Sequence, residues 1–242
     1  MTPTALSLVV PCHNEVGNLR RLLVEIERAM APITPDYEVV ITDDASTDGS
    51  WDVLRELAAQ EPRLRIQRFA RNCGESAASW AGIRAARGRV IVTLDADLQN
   101  DPAEIPRFLD ALAHADCVCG TRVEVRRTSD GWIRVVSSRL ANWVRIHLTG
   151  DTLSDAGCTY RAFRRECLEN IRFFNGIHRF LPTLVKMEGF RVAEIPVANR
   201  ERSFGASHYG IGNRVFRASA DLLAIRWMRS RAVRFEIRDS MN

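Results

Sequence analysis

The fold is decided by the stretch R-V-I-V-T-L-D-A-D, which occupies residues 89–97. Its first six residues form a short, mostly apolar run rich in β-branched side chains, which is typical of a buried β-strand. Two aspartates follow at once, so the strand would present both carboxylates at its carboxyl end. We therefore predict a buried strand over residues 89–94 that leads directly into an acidic loop.

The sequence before this stretch alternates between apolar runs and segments of helical spacing. Predicted strands cover 5–11, 37–42 and 64–69, and predicted helices cover 18–30, 51–60 and 74–86. Such β-α-β alternation produces a mostly parallel sheet with helices on both faces, and ligands bind beyond the carboxyl ends of its strands. The predicted fold class is therefore α/β and Rossmann-like, with the acidic clusters at the ligand-binding edge.

The pattern is less regular after residue 97. Predicted helices cover 103–113, 134–148 and 166–171, predicted strands cover 116–120, 159–164 and 191–197, and a mobile loop is expected over 121–133. We expect one domain over 1–212, with halves 1–120 and 121–212, and a separate C-terminal segment over 213–242.

The C-terminal segment contains an amphipathic helix over residues 213–231. Phe216, Ala220, Leu223 and Trp227 form one stripe at helical spacing, with arginines elsewhere around the helix. Charged residues interrupt this helix too often for it to span a bilayer. Two interpretations stay open, a helix that lies at a membrane surface and a helix that packs on its own domain.

The charge of the chain is distributed unevenly. Residues 1–120 have 12 basic and 18 acidic side chains, whereas residues 121–242 have 22 and 12. A basic surplus is typical of proteins that bind nucleic acid or anionic membranes. The arginines are scattered through apolar patterns instead of forming a basic run with aromatics, so nucleic acid is not an expected partner. The first residues lack the features of a secretory signal, and we expect a cytoplasmic location.

The acidic loop has the chemistry of a metal site. Asp95 and Asp97 are carboxylates at i and i+2, and Gln99 adds an amide oxygen two residues further on. Mg²⁺ and Mn²⁺ prefer such oxygen ligands and complete their shell with waters and substrate phosphates. The site would therefore suit a diphosphate leaving group; the alternative is a solvated acidic loop.

Further polar residues follow the first three strands. Glu15, Asp43 and Asp44 lie at the ends of the first two strands, where carboxylates can accept hydrogen bonds from a base or a ribose. Arg71 follows the third strand, where it would reach phosphates or sugar. The alternative for Asp43 and Asp44 is capping of the helix that follows.

Four motifs agree in order and spacing with glycosyltransferase family 2. They are V-V-P-C-H-N-E, T-D-D-A-S-T-D-G-S, R-N-C-G and L-D-A-D-L-Q-N-D-P. The resemblance implies a GT-A fold and inverting transfer of a sugar from a nucleoside diphosphate, with 1–120 as the nucleotide-sugar half and 121–212 as the acceptor half. By this resemblance the nucleoside pocket would be lined by Pro11, Asn14, Glu15, Asp43 and Asp44, and the metal site would be Asp95, Asp97 and Gln99.

The second half is similar to the polyprenyl-phosphate subgroup of this family, the group of dolichol-phosphate mannose synthase. The similar stretches are G-T-R, W-I-R-V-V-S-S-R-L-A-N, S-D-A-G-C-T-Y-R-A-F-R-R and R-S-F-G-A-S-H-Y-G. The resemblance implies that Arg122, Arg134 and Ser138 hold the acceptor phosphate, with Arg202 near the same phosphates. Asp155 would orient acceptor or sugar hydroxyls, or serve as a cap. His208 departs from the lysine usual in this group, which weakens the expected phosphate contact there.

Three functions are compatible with these residues. The leading hypothesis is transfer of a sugar from a GDP- or UDP-linked donor to a polyprenyl phosphate at the inner membrane face, for cell-envelope glycan or lipid A modification. The second is transfer to a soluble or lipopolysaccharide hydroxyl, for which Asp155 would be the base. The third, a non-catalytic scaffold that binds nucleotide-sugar, is disfavoured by the intact D-x-D-x-Q cluster.

Overall fold

The computed structural model describes residues 4–123, 146, 148, 153–155, 157–198, 200 and 212–233, with side chains from residue 219 onward in the last range. The predictions for the loop over 121–133 and the helix over 134–148 therefore lie almost wholly outside the described residues.

A seven-stranded sheet forms the centre of the molecule. Its strands are β1 (Leu6–Cys12), β2 (Tyr37–Asp43), β3 (Leu64–Arg68), β4 (Val90–Thr93), β5 (Cys117–Thr121), β6 (Arg161–Arg164) and β7 (Val192–Pro196). They lie in the order β3-β2-β1-β4-β6-β5-β7, and only β6 runs antiparallel to its neighbours. The predicted mostly parallel sheet is confirmed.

Helices cover both faces of the sheet. Those whose full range lies in the described residues are α1 (Leu19–Met30), α2 (Ser50–Gln60), α3 (Glu75–Ala85), α4 (Ile105–Ala111), α5 (Leu181–Met187) and α6 (Gly212–Arg231). Successive side chains of a strand point to opposite faces, so Leu8 and Val10 join the core under α1, α2 and α4, while Val9 joins the core under α3, α5 and α6. All three are fully buried, which explains why β1 reads as a continuous apolar run.

The structure differs from the predicted elements mainly at two helical segments. The helix expected over 166–171 is a single 3₁₀ turn at Arg165–Leu168, and 3₁₀ geometry also occupies Pro102–Glu104 before α4. The sequence pattern did not predict α5 at all. Every residue from Leu181 to Val185 is buried, so the first five residues of this seven-residue helix show no alternation of apolar and polar faces to detect.

Of the predicted stripe on the C-terminal helix, the described side chains Ala220, Leu223 and Trp227 are exposed to solvent. Leu223 and Trp227 are 59% and 63% exposed, whereas Ile225 is 1% exposed and packs with Leu222 against the core under α3 and α5. Because residues two apart lie about 200° apart around a helix, packing through Ile225 turns Leu223 and Trp227 outward. Among the described residues, no helix is both long and apolar enough to cross a membrane.

Candidate functional site

Asp95 and Asp97 lie on the loop after β4, at the carboxyl edge of the sheet. Asp97 is buried and Asp95 is half-buried. The Thr159 hydroxyl donates a hydrogen bond of 2.5 Å to Asp95 Oδ2, and the Gln99 backbone N–H donates one of 3.0 Å to Asp97 Oδ1. The fold therefore holds both carboxylates in defined orientations before any ligand binds.

Strand register explains why Thr159 meets Asp95. β6 runs antiparallel to β4 with Arg161 opposite Thr93, and the same register continued by two residues puts Thr159 opposite Asp95. The Thr93 hydroxyl donates a 2.6 Å hydrogen bond to the Thr159 carbonyl. The one antiparallel strand thus brings residues of the second half to the ligand-binding edge.

The acidic loop has a strained backbone at Leu98. Its φ is 64°, in the left-handed region that a bulky side chain rarely adopts. The Leu98 side chain is 1% exposed, so its packing in the core holds this conformation. The Asn100 side chain accepts a 2.9 Å hydrogen bond from Asp95 N and closes the loop. Strain of this kind is found preferentially at functional sites.

The electrostatics of the loop favour a cation. Burial and the charge of Asp97 raise the pKa of Asp95, although the Thr159 hydrogen bond and the charges of Arg122 and Arg161 act against this rise. A divalent ion between the two carboxylates would remove their repulsion. Within the described ranges no group of three or more acidic, histidine or cysteine side chains forms a metal centre. An ion held by two carboxylates would take its other ligands from water and phosphate.

The predicted nucleoside residues lie at the ends of β1 and β2. Asp44 is buried, and its two carboxylate oxygens accept hydrogen bonds from Cys73 N at 2.6 Å and Gly74 N at 2.8 Å. Asp43 is fully buried and pairs with Arg68 Nε at 3.0 Å. Both aspartates therefore have a structural task, and Asp44 in particular fixes the R-N-C-G loop against the end of β2.

The glycine of that loop is required by its conformation. Gly74 has φ 89° and ψ 161°, a region that only glycine adopts readily. Arg71 lies exposed on the same loop. The two hydrogen bonds that Asp44 accepts from Cys73 N and Gly74 N hold the loop at the start of α3. Arg71 is thereby kept at the carboxyl edge of the sheet.

Asn14 and Glu15 occupy the turn after β1. Asn14 has φ 57°, and its side-chain oxygen accepts a 2.8 Å hydrogen bond from Thr47 N. Glu15 is buried, and its carboxylate accepts a 2.6 Å hydrogen bond from the Asn18 side chain. The turns after β1 and β2 are therefore tied to each other. A second left-handed residue, Ala45, lies in the turn after β2.

Pro11 lies in β1 beside the acidic loop. It lines a small, partly open pocket that reaches Asp95. The other lining residues are Ser79, Thr93, Leu94, Thr159, Arg161, His178 and Leu181. The carboxyl ends of β1 and β4 thus open onto one shared space.

Arg122 and Asp155 form a buried ion pair after β5. Arg122 Nε lies 2.9 Å from Asp155 Oδ2 and Nη2 lies 3.3 Å from Oδ1, and the two side chains are 13% and 5% exposed. Burial acts to lower the pKa of Arg122, but the hydrogen bond to Asp155 and the charge of Asp95 contribute to raising it. Arg122 therefore stays charged in a fixed position near Asp95.

A second acidic residue supports this ion pair. Glu194 on β7 accepts hydrogen bonds from Ser154 N at 2.9 Å, Ser154 Oγ at 3.0 Å and Asp155 N at 3.3 Å. Glu194 was not predicted from the sequence, although an acid in the middle of the apolar run V-A-E-I-P is a detectable signal. Thr159 and Asn100 were missed as well, because neither side chain has a chemistry that marks it without the fold.

Gln99 contacts the residue that precedes an undescribed segment. Its Nε2 donates a 3.3 Å hydrogen bond to the Arg200 carbonyl, and Arg200 N donates a 3.2 Å hydrogen bond to the Gln99 carbonyl. The structure thus brings together Asp95, Asp97 and Gln99, and it brings Arg122 next to Asp155. The predicted residues Arg134, Ser138, Arg202 and His208 lie outside the described residues.

Comparison with known proteins identifies related sequences. Residues 7–172 match glycosyl transferase family 2. Undecaprenyl-phosphate 4-deoxy-4-formamido-L-arabinose transferase of Aeromonas hydrophila subsp. hydrophila is 38% identical over 85% of this chain and 63% of its own length. Dodecaprenyl-phosphate galacturonate synthase of Rhizobium johnstonii is 36% identical over 91% of this chain and 66% of its own length. The chain thus spans less than two thirds of both relatives.

Solved structures share the fold. A mannosyltransferase from Pyrobaculum calidifontis in complex with GDP-Man and Mn²⁺ has a TM-score of 0.62 at 22% identity over 95% of this chain and 64% of its own. Glucosyl-3-phosphoglycerate synthase from Mycobacterium tuberculosis with Mn²⁺, UDP and phosphoglyceric acid has a TM-score of 0.63 at 18% identity over 96% and 80%. At such identities the likeness is one of fold, and the predicted GT-A fold is confirmed.

Proposed function

Because the chain belongs to glycosyl transferase family 2, we propose that it transfers a sugar from a nucleotide-sugar to a polyprenyl phosphate such as undecaprenyl phosphate. The observation that carries this proposal is the proximity of Asp95 and Arg122. The charge of Arg122 acts to lower the pKa of Asp95, and the charge of Asp95 acts to raise that of Arg122. An acidic loop suited to a cation and a fixed guanidinium, close enough to interact electrostatically, suit a reaction between two phosphate-bearing substrates.

The donor would bind at the carboxyl ends of β1, β2 and β4. Asp95, Asp97 and Gln99 would hold Mg²⁺ or Mn²⁺, and the ion would neutralise the negative charge that develops on the diphosphate leaving group. Pro11, Asn14 and Glu15, with Asp43 and Asp44, would line the nucleoside pocket, and Arg71 would approach the phosphates. The donor is a GDP- or UDP-linked sugar.

The acceptor would bind at the Arg122 side. A phosphate monoester is already anionic at neutral pH, so it needs positioning and charge compensation more than a strong base. Arg122 supplies a charged fork in a fixed place, and Asp155 keeps that fork oriented. Arg134, Ser138 and Arg202 would complete the acceptor-phosphate site. This arrangement favours a phosphate acceptor over a hydroxyl acceptor, because the carboxylate that would serve as base is engaged with Arg122.

The relatives support the choice of acceptor. The two relatives described above are named as an undecaprenyl-phosphate sugar transferase and a dodecaprenyl-phosphate galacturonate synthase. A lipid acceptor requires access to a membrane surface, and α6 offers the exposed side chains of Leu223, Trp227 and Met228 together with exposed arginines. We place the reaction at the inner face of the cytoplasmic membrane, with α6 lying in the interface.

A direct assay tests this proposal. The protein is incubated with undecaprenyl phosphate, Mg²⁺ or Mn²⁺, and each of a set of radiolabelled GDP- and UDP-sugars, and labelled lipid is extracted and counted. We expect one donor to label the lipid, and we expect a chelator to abolish the labelling. Labelling of a soluble or lipopolysaccharide hydroxyl instead of the lipid phosphate would contradict the proposal.

A variant pair tests the acidic loop. We expect Asp97→Ala to lose metal-dependent transfer with its fold intact, because the ion loses a carboxylate ligand. The matched control is Asp110→Ala, which removes an exposed aspartate on α4 away from the loop. Full transfer by Asp97→Ala, or unchanged transfer in excess chelator, would refute the metal-dependent mechanism.

A further inference from the structure

Arg200 bridges the acidic loop to α1. Its Nη1 lies 2.5 Å from Glu25 Oε2 on α1, and its Nη2 lies 2.5 Å from Asp101 Oδ2 at the end of the loop. The three side chains are 34%, 17% and 22% exposed. Both carboxylates are anchored independently, since Arg21 Nε contacts Glu25 Oε1 at 2.7 Å and Ala103 N donates to Asp101 Oδ1 at 2.9 Å. Neither end of the bridge is a free surface side chain.

The backbone of Arg200 is paired with Gln99. Arg200 N donates to the Gln99 carbonyl, and Gln99 Nε2 donates to the Arg200 carbonyl at 3.3 Å. An amide has one donor end and one acceptor end. When the nitrogen is occupied by the Arg200 carbonyl, the orientation of the amide is set, and the oxygen is the end that can accept or coordinate.

We infer that Arg200 is a positioning residue for the divalent metal site. The inference rests on the proposed function, in which Gln99 is a metal ligand beside Asp95 and Asp97. The guanidinium anchors Arg200 between Glu25 and Asp101, its carbonyl holds the amide nitrogen of Gln99, and the amide oxygen is thereby presented as a ligand. Without the bridge, Gln99 can rotate and offer either end of its amide to the ion.

Loss of such a positioning residue should change metal affinity by a characteristic factor. Groups that orient metal ligands without touching the metal typically change metal affinity by about 10-fold to 100-fold when they are removed. Arg200→Gln removes both ion pairs and so releases the backbone of residue 200, although the carbonyl itself remains. We therefore expect the affinity for Mn²⁺ to fall by about 10-fold or more. Arg200→Lys keeps the charge but not the planar fork that spans two carboxylates, and we expect an intermediate affinity.

The test measures Mn²⁺ binding to the protein alone. Free Mn²⁺ is followed by electron paramagnetic resonance during titration of wild type, Arg200→Gln, Arg200→Lys and Glu25→Gln. The matched control is Glu56→Gln, which breaks the 2.5 Å pair between Arg20 and Glu56, an exposed ion pair between α1 and α2. We expect Glu25→Gln to weaken Mn²⁺ binding and Glu56→Gln to leave it unchanged.

The outcomes separate this inference from the proposed function. Wild-type affinity for Mn²⁺ in both Arg200→Gln and Glu25→Gln would overturn the positioning role and leave the metal site of the proposed function intact. Failure of the wild-type protein itself to bind Mn²⁺ would overturn both. If Arg200→Gln does not fold, Glu25→Gln decides, since it removes one end of the bridge from a helix that is otherwise unchanged. An equal loss of affinity in Glu56→Gln would also refute the inference, because any broken ion pair would then have the same effect.

Discussion

The exposed stripe of α6 leads to a quantitative prediction for the double variant Leu223→Ser with Trp227→Ser. Complete burial of a large apolar side chain stabilises by about 1.5–3 kcal/mol. Leu223 is 59% exposed and Trp227 is 63% exposed, so insertion into a membrane interface would gain about 1–2 kcal/mol from each. Removal of both should cost about 2–4 kcal/mol of binding free energy. Since each 1.4 kcal/mol is a factor of ten, vesicle partitioning should fall by about 30-fold to about 700-fold.

Sedimentation with phospholipid vesicles measures this effect. The bound fraction is determined over a range of lipid concentrations for wild type and the double variant, with vesicles that contain an anionic lipid. Exposed arginines on α6, among them Arg226 and Arg229, should add about 1 kcal/mol each near an anionic surface. Binding of the wild type should therefore weaken as salt is added.

An exposed apolar residue outside α6 provides the control for the double variant. Val24→Ser removes an apolar side chain that is 45% exposed on α1, and we expect it to leave vesicle binding unchanged. Because Leu223 and Trp227 are both exposed, the free energy of unfolding of the double variant should stay within about 0.5 kcal/mol of wild type. Wild-type partitioning of a folded double variant would refute the membrane role of the stripe.

Three further predictions concern the sheet and the acceptor side. Glu38→Gln should lower the free energy of unfolding by about 1–3 kcal/mol at neutral pH, as measured by urea unfolding. Burial acts to raise the pKa of Glu38, but hydrogen bonds from Ser7 and Arg65 help hold it below its ordinary value. The stabilisation by the Glu38 carboxylate is therefore present above the pKa of the unfolded state, and the difference between variant and wild type should vanish as the pH falls through the pKa of the folded state. Gly88→Ala should destabilise by at least about 1–3 kcal/mol, because a Cβ there would lie 2.6 Å from Ser7 N; a smaller loss in urea unfolding would show that the chain relaxes easily. Asp155→Asn should lower kcat/KM for the polyprenyl phosphate by a similar factor at every pH, since its carboxylate orients a guanidinium, whereas loss of a titrating limb from the pH–rate profile would identify a base.

The fold of residues 1–120 could be predicted from sequence because its signals are local. Each of the first three strands is followed by a predicted helix, and predicted ligand-binding residues come directly after each strand. Asp95 and Asp97 were predicted at the carboxyl edge and lie there. The hydrogen bonds between loops were not predictable, since Asp44 bonds to Cys73 and Gly74, which lie 29 and 30 positions away in the chain. An aspartate that binds a ligand and one that fastens a loop have the same sequence signature.

The C-terminal helix shows a different limit of periodicity. The stripe through Leu223 and Trp227 is the apolar face by spacing, and a soluble domain ordinarily buries that face. The structure buries the opposite side through Ile225, with Leu222 packed against the core. Spacing thus identifies an amphipathic helix, but the surface against which the helix packs is decided by the shape of the domain.

The strands β5, β6 and β7 were predicted, but the contacts among the residues around them were not, because those contacts are set by sheet order. β6 lies between β4 and β5, and β7 lies beyond β5, so neighbours in space are far apart in the chain. Arg122 and Asp155 are 33 residues apart, and Ser154 and Glu194 are 40 apart. The antiparallel direction of β6 is what brings Thr159, at its start, to the end of β4 and hence to Asp95. Thr159 and Asp155, which both precede β6, can therefore meet Asp95 and Arg122 at one edge of the sheet only because β6 is reversed, and that reversal leaves no trace in the spacing of either motif.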